Sequence, residues 1–287
     1  MITIGADPEV FLVSKENRPV SSIGKIGGTK EHPIHIQNGI FLQEDNVTVE
    51  YNIPPCSSAE AFIATNKEAL KIIQEKAQAL NLGVSIQAAY TMPKKELDDP
   101  RAWVFGCEPD FNVHSLDWNP KPDPTTVRAA GGHVHIGFEG ENIDKINLTK
   151  MLDATLGAVF TFLDPDTKRK KLYGLAGSIR FKPYGIEYRT LSNYWLTHPF
   201  YIKTVFDVAH FYTTHVKNNI FHSMTTNKLV NAINKRNIPL LKKHIKELPE
   251  RFMIPSALGK LVAGINEATK DNELDYKRLQ NYLNALS

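Results

Sequence analysis

Over the first 55 residues, apolar and polar positions alternate in short blocks, the period of strands whose two faces meet different surroundings. Ile2 to Val13 predicts a first strand, closed by a turn at Glu16 to Pro19. A glycine-rich loop, Gly24 to Gly28, precedes a second alternating stretch, Gly39 to Ile53, a strand or hairpin that Pro54-Pro55 should stop. Ser57-Ser58-Ala59-Glu60 then opens a helix in the manner of a capping box, and its pattern lasts to about Leu82, where Asn81 and Gly83 close it. Val84 to Tyr90 and Trp103 to His114 predict strands. Between Leu116 and Thr126, Pro120, Pro122 and Pro124 with Asp and Asn predict a loop placed to cover a site. Val127 to Phe138 predicts a strand, Ile143 to Leu163 a helix, and Ile179 to Tyr188 a hairpin turning at Pro183-Tyr184-Gly185. From Thr197 onward the pattern is helical: His198 to His222, Asn227 to Lys246, and a last helix near Tyr276 to Leu286. The expected fold class is α+β: a curved, mostly antiparallel sheet flanked by helices, with a helical C-terminal third. The expected division is a sheet domain over 1–196 and a helical region over 197–287 packed on it.

Composition narrows the classes. With 287 residues, 42% hydrophobic and 23% charged, the chain is an ordinary globular protein able to bury a sizeable core. A net charge of +3 is too small to imply nucleic-acid binding, and Lys168 to Lys171 reads as a solvated helix end. The apolar runs, such as Ala154 to Leu163, fall short of a bilayer span, so no membrane partner is expected. The start, Met1 to Gly5, lacks the basic region and apolar stretch of a signal peptide, which places the chain in a cytoplasm. Cys56 and Cys107 are too sparse for a disulfide framework and are expected as free thiols.

The chemistry lies on the predicted strands. In Asp7-Pro8-Glu9 the two carboxylates sit two apart and project from one strand face, where they repel unless a cation lies between them. A hard ion such as Mg2+ suits such a pair; a solvated strand face is the competing reading. Glu50 interrupts the β-formers Val47, Val49 and Tyr51, and alone it is a weak signal. In Gly131-Gly132-His133-Val134-His135 the imidazoles share a face, and the glycines let a ligand approach the backbone. Arg180 and Lys182 share a face, as do Glu187 and Arg189 across the turn, and such cations suit a polyphosphate or a plain salt-bridge ladder. Taken singly each motif stays ambiguous. As a set, acids, imidazoles and guanidinium groups recur at spacing two on several strands, and one sheet face carrying them all would suit phosphoryl transfer. No GxxxxGK[ST] loop and no kinase glycine-rich loop offers another nucleotide site. Gly5 to Glu9 and Gly106 to Asp110 echo each other in a glycine, two acids and a proline, which leaves Glu108 and Asp110 without a secure role.

These residues resemble the glutamine synthetase and glutamate-cysteine ligase superfamily. Gly5 to Leu12 resembles its first metal-binding strand, Gly132-His133-Val134-His135 its Gly-x-His-x-His strand, Ile186 to Arg189 its Glu-x-Arg strand, and Leu172 to Arg180 a Tyr-Gly-x-Ala-Gly-x-x-Arg segment. With Gly106 to Asn112 added, the chain most resembles the phage phiEco32-like carboxylate-amine (COOH.NH2) ligases, over roughly Ile2 to Trp195. The resemblance implies a glutamine synthetase-like catalytic fold and an ATP- and Mg2+-dependent (or Mn2+-dependent) ligase that forms an amide through an acyl-phosphate. Its partners would be small-molecule or peptide carboxylate and amine substrates, and its setting a host cytoplasm if phage-encoded. It implies that Asp7, Glu9 and Glu50 hold Mg2+, that His133 and Glu187 hold a second ion, and that His135, Lys182, Arg180 and Arg189 contact the nucleotide or the acyl-phosphate, with Arg180, Glu187 and Arg189 catalytic. The sequence departs from glutamine synthetase in placing Asp7 where the first acid is usually Glu, and it shows no ammonium-site loop. A phosphotransferase of the same fold, a metal-dependent amidohydrolase, and a non-catalytic binding or virion component remain the alternatives.

Overall fold

The computed structural model describes residues 1–104, 110–217, 225–271 and 273–286. Its strands are β1 (Thr3–Val13), β2 (Pro19–Val20), β3 (Ile34–His35), β4 (Phe41–Asp45), β5 (Thr48–Cys56), β6 (Gly83–Ser85), β7 (Ala89–Thr91), β8 (Phe111–Asn112), β9 (Asp117–Trp118), β10 (Val127–Ala129), β11 (Gly132–Gly137), β12 (Ser178–Lys182) and β13 (Gly185–Tyr188). Its helices are α1 (Ala59–Ala79), α2 (Asn142–Leu152), α3 (Ala158–Leu163), α4 (Pro199–His215), α5 (Asn227–Asn234), α6 (Ile238–Arg251), α7 (Ser256–Ala268) and α8 (Tyr276–Asn284). The large sheet runs β3-β4-β5-β1-β11-β13-β12-β8-β9, with β2 and β6 also paired to β1, and it stays open at both ends. Its pairings are antiparallel throughout.

β1 is the central strand, flanked by β5 and β11. Its residues alternate as the strand period demands: Ile4, Ala6, Val10 and Leu12 enter the main core, while Asp7 and Glu9 project to the opposite face. That core continues into the helices. Phe62 of α1 stacks on Trp195 at 5.8 Å between ring centroids and meets Phe206 of α4 at 5.7 Å. Trp195 also donates its indole N–H to the Gly132 carbonyl at 3.0 Å, which ties the helical side to β11 at the start of the two-histidine strand. The C-terminal helices share this core through Leu241, Ile245, Leu261, Ile265 and Leu283. By length and composition the helical run Asn142–Leu163 could cross a membrane, but 83% of that window is buried inside the protein, as in a core helix.

Several expected boundaries move, each for a physical reason. β5 runs through Pro54-Pro55 to Cys56, because β4 pairs no farther than Phe41↔Asn52, and a register shift against β1 absorbs the prolines. Ser58 caps α1 through the Ala61 N–H at 3.2 Å, so Glu60 adds charge to the first turn but closes no capping box. Val84 to Tyr90 divides into β6, on the large sheet, and β7, which forms a separate ribbon with β10. Val127 to Phe138 divides likewise into β10 and β11, parted at Ala130-Gly131. Trp103 ends a short 3-10 turn capped by Asp99, and the strand expected from Trp103 to His114 is confined, among the described residues, to Phe111–Asn112. Cys107 and Glu108 lie outside the described residues, as does His222 of the helix expected from His198 to His222, whereas Cys56 is a buried free thiol. Asn227 to Lys246 is broken at Arg236, whose φ of +50° ends α5, before Asn237 caps α6. α7 has no counterpart among the expected elements.

The helix expected from Ile143 to Leu163 carries one π turn, Asp153–Gly157, between α2 and α3. Asp153 is fully buried there. Its carboxylate accepts the Tyr188 hydroxyl at 2.8 Å and the Thr190 hydroxyl at 3.0 Å, and meets His114 Nε2 at 2.8 Å. One side chain thus ties the exit of β13 to the segment following β8. Removing it strands the buried Tyr188 hydroxyl and takes a partner each from Thr190 and His114, and Asp153→Ala should lower the unfolding free energy by about 2–4 kcal/mol. Urea unfolding checks this, and a loss below about 1 kcal/mol would show that the network bears little weight.

Candidate active site

The pairing of the central strands sets polar residues side by side across one sheet face. Glu9 lies opposite Glu50, which lies opposite Gln43; Asp7 lies opposite His133; and Glu187 lies between His135 and Arg180. The nine residues singled out in the sequence, Asp7, Glu9, Glu50, His133, His135, Arg180, Lys182, Glu187 and Arg189, all line one cleft of about 400 Å³. Arg180, Lys182, Glu187 and Arg189 thus look into the same space, where the hairpin alone left two faces open.

Glu187 is the meeting point. Its carboxylate is 2.9 Å from Lys182 Nζ, 3.7 Å from Arg180 Nη1 and in direct contact with the Arg189 guanidinium. Burial and Asp7 work against its charge, but Arg189, His133 and His135 win and hold its pKa at about 2. Asp7 lies 3.0 Å from His135 Nε2 and 3.4 Å from His133 Nδ1. Burial opposes its charge too, yet the two imidazoles keep this carboxyl well below the usual range. The histidines respond in opposite directions. Burial and Arg189, whose Nη1 is 3.1 Å from Nδ1, push His133 down; His135 is raised, Asp7 and Glu187 outweighing its burial.

The other end of the band is acidic. Glu9 sits 8% exposed, accepting the Gly131 N–H at 2.9 Å, and burial together with Asp45 pushes its pKa up to about 8. Glu50 is pushed well above the usual range by burial and by Asp7, Asp45 and Glu9, even with Gln43 donating to it at 3.0 Å. Gly131 is required at this bend, because a Cβ there would come within 2.3 Å of His133 Nε2.

Two groups offer oxygen or imidazole ligand atoms within 4.8 Å of one another: Asp7 with His135 and Glu187, and Glu9 with Asp45 and Glu50. Hard carboxylate oxygens so clustered fit Mg2+ or Mn2+. The grouping differs from the one implied by resemblance, which joined Asp7 to Glu9 and Glu50, and His133 to Glu187. Asp45 escaped the sequence reading. It sits two residues beyond Gln43 in β4, on the same face, but Glu44-Asp45-Asn46 reads as a solvated turn. Glu44, between them, serves the loop: its carboxylate accepts the N–H groups of Gly24, Lys25, Ile26 and Gly27 at 2.7–3.0 Å. Asp110, left without a role in the sequence, places Oδ1 2.7 Å from Arg189 Nε and 3.7 Å from Arg180 Nε.

A second, narrow chamber adjoins the cleft, sharing Glu9, Asp45, His133 and Arg189 with it and adding Arg128, Arg169 and Tyr173 to its own wall.

The family model described as phage phiEco32-like COOH.NH2 ligase-type 2 matches residues 106–261, more than half of the chain. The chain belongs to this family of carboxylate–amine ligases. The match includes Asp110, His133, His135, Arg180, Lys182, Glu187 and Arg189. The acidic group of Glu9, Asp45 and Glu50 precedes it. Among solved structures, the one described as "GmaS/ADP complex-Conformation 1" matches with a TM-score of 0.50 and 11% identity, covering 99% of this chain and 73% of that one. The ligase accordingly has a glutamine synthetase-like fold. No curated protein sequence matches it.

Glu9 carries a pH signature of the ion-free ligase. Its folded pKa, about 8, stands above the ordinary 4.5, so its contribution favours folding fully below about pH 4.5 and is lost as pH rises through about 8. Glu9→Gln removes that loss. Relative to wild type, the ion-free variant should gain a few degrees in Tm between about pH 5 and pH 9. Melting curves in chelator across that window check it, and parallel profiles would show that Glu9 is not the strained group.

Proposed function

We propose that this ligase is ATP- and Mg2+-dependent and works through an acyl-phosphate. The observation that carries the reading is the single cleft in which an acidic band, Glu9, Asp45 and Glu50, stands beside a cationic band, Arg180, Lys182 and Arg189, with Asp7, His133, His135 and Glu187 between. The GmaS structure is described as an ADP complex, and its likeness in fold is consistent with nucleotide use here.

In this reading Glu9, Asp45 and Glu50 hold one divalent ion, and Asp7, His135 and Glu187 a second, with His133 beside it. Bound Mg2+ or Mn2+ would neutralise charge on the phosphoryl oxygens. The chain's own groups do the rest. Arg180, Lys182 and Arg189 now engage Glu187; polyphosphate oxygens would take over those donors, leaving the Glu187 carboxylate to its ion. Arg189, 4% exposed and fixed by Asp110, is pre-aimed and needs little reorganisation to hold charge that develops on the transferred phosphoryl group. The substrate carboxylate oxygen attacks the γ-phosphorus, ADP leaves, and an amine nitrogen then attacks the acyl carbon and expels phosphate. The substrates are small-molecule or peptide carboxylates and amines. We assign this machinery to the sheet domain, 1–196, with 197–287 as its helical support.

The test is hydroxylamine capture of the acyl-phosphate as a hydroxamate, with ADP release, across a panel of carboxylates in Mg-ATP. Glu9→Gln, His133→Ala and Arg189→Ala should each lower the rate by about 10²–10³-fold, and chelation should abolish it. A stable phosphorylated product without hydroxamate would instead make the protein a phosphotransferase, and undiminished rates in all three variants would remove the cleft from the chemistry.

A further inference from the structure

Pro183-Tyr184 is the two-residue turn between β12 and β13, closed by the pairing of Lys182 with Gly185. It is pressed onto the neighbouring strand, β11. The Phe138 N–H donates to the Tyr184 carbonyl at 2.8 Å. A Cβ on Gly185, whose φ is +152°, would lie 2.0 Å from the Ile136 carbonyl oxygen. Only glycine fits there, so the turn and the Tyr184 backbone stay pinned to β11. The half-exposed Tyr184 ring leans on His135 with 6.0 Å between ring centroids, and its hydroxyl meets His135 Nδ1 at 2.5 Å.

That contact leaves Nε2 as the imidazole nitrogen for the group of Asp7, His135 and Glu187. Nε2 lies 3.0 Å from Asp7 Oδ2. Yet neither His135 Nε2 nor Asp7 Oδ1, both buried, makes a hydrogen bond among the described residues. Buried polar atoms left unsatisfied beside a carboxylate fit a cation held at that point. A nitrogen that ligates a cation carries no proton, so the other ring nitrogen must carry one and needs an acceptor. At Nδ1 that acceptor is the Tyr184 hydroxyl oxygen. A hydroxyl both donates and accepts, so Tyr184 serves Nδ1 whichever ring nitrogen holds the proton.

We propose that Tyr184 is a positioning residue of this ligase: its hydroxyl holds the His135 ring in the orientation and tautomer that direct Nε2 to the second ion. The proposal rests on the two-ion reading of the cleft. It gives the hairpin turn a part in metal binding while Tyr184 itself touches neither ion nor substrate.

Mn2+ binding to the full chain, followed by electron paramagnetic resonance with a non-hydrolysable ATP analogue present, separates the two ideas. Wild type should hold two ions tightly. Tyr184→Phe keeps the ring and removes the hydroxyl; it should hold one ion as before and the other about tenfold more weakly. With Asp45→Asn in the background, which leaves only the Asp7 ion, Tyr184→Phe should weaken that remaining ion by the same factor of about ten. Phe181→Ala, on the opposite face of the same hairpin and outside the cleft wall, should leave both ions unchanged. In hydroxamate formation, Tyr184→Phe should need about tenfold more Mn2+ for half its maximal rate and recover the wild-type rate when Mn2+ is saturating. Unchanged affinities in Tyr184→Phe, an equal loss in Phe181→Ala, or a rate that saturating Mn2+ does not restore overturns the positioning role and leaves the two-ion reading standing. Fewer than two tight ions in wild type contradicts that reading itself, and the role of Tyr184 falls with it.

Discussion

Burying four carboxylates, three at one sheet face and one behind it, is expensive, and the remainder of the molecule is arranged around that expense. Glu9, Asp110, Glu187 and, across the sheet in the π turn, Asp153 are each under a tenth exposed. A buried carboxylate survives only when paired, hydrogen-bonded or protonated. The structure uses all three solutions. Glu187 is held charged among Arg180, Lys182 and Arg189, Asp110 is paired with Arg189 and Arg180, Asp153 is met by two hydroxyls and an imidazole, and Glu9 is pushed toward its neutral form. The acidic end therefore stands out, as burial and the neighbouring Asp45 push Glu9 up, and burial with Asp7, Asp45 and Glu9 pushes Glu50 up. In the proposed function an incoming cation would relieve that repulsion.

The strain is tolerable because the reverse of the same sheet is well packed. Along β1 every second side chain joins the core, so the strand that aims Asp7 and Glu9 is also anchored by Ile4, Val10 and Leu12. Trp195, Asn193 and Asp153 then reach the site strands from behind, through the Gly132 carbonyl, the Glu9 carbonyl and the residues flanking Arg189. The site residues are thus held by backbone pairing and by polar contacts from beneath, an arrangement that favours a fixed geometry over an adaptable one.

What the sequence made legible follows from this layout. Residues two apart on a strand share a face whatever the fold, so Asp7/Glu9, His133/His135 and Arg180/Lys182 were readable from spacing alone. That Glu187 and Arg189 look into the same cleft was not, since it depends on the register between β12 and β13. Asp45 hid in a turn that looks solvated, and Asp110 gains its meaning from Arg189, distant in sequence but 2.7 Å away in space. Helix boundaries failed for local reasons: a positive φ at Arg236 and a π turn built around Asp153 carry no periodic signal, and Pro54-Pro55 stays in a strand because its β4 side is unpaired. The resemblance implied an ordered set of candidate ligands, while their three-dimensional grouping came from the register.

The central claim is that this face gathers two divalent ions around a nucleotide. Electron paramagnetic resonance of Mn2+ titrated into the protein with a non-hydrolysable ATP analogue counts those ions directly. The account predicts two tightly held ions per chain, one of which is lost on Asp45→Asn while the other persists. A single nucleotide-borne ion unaffected by Asp45→Asn, or Mn2+ held no better than in protein-free solution, would contradict it.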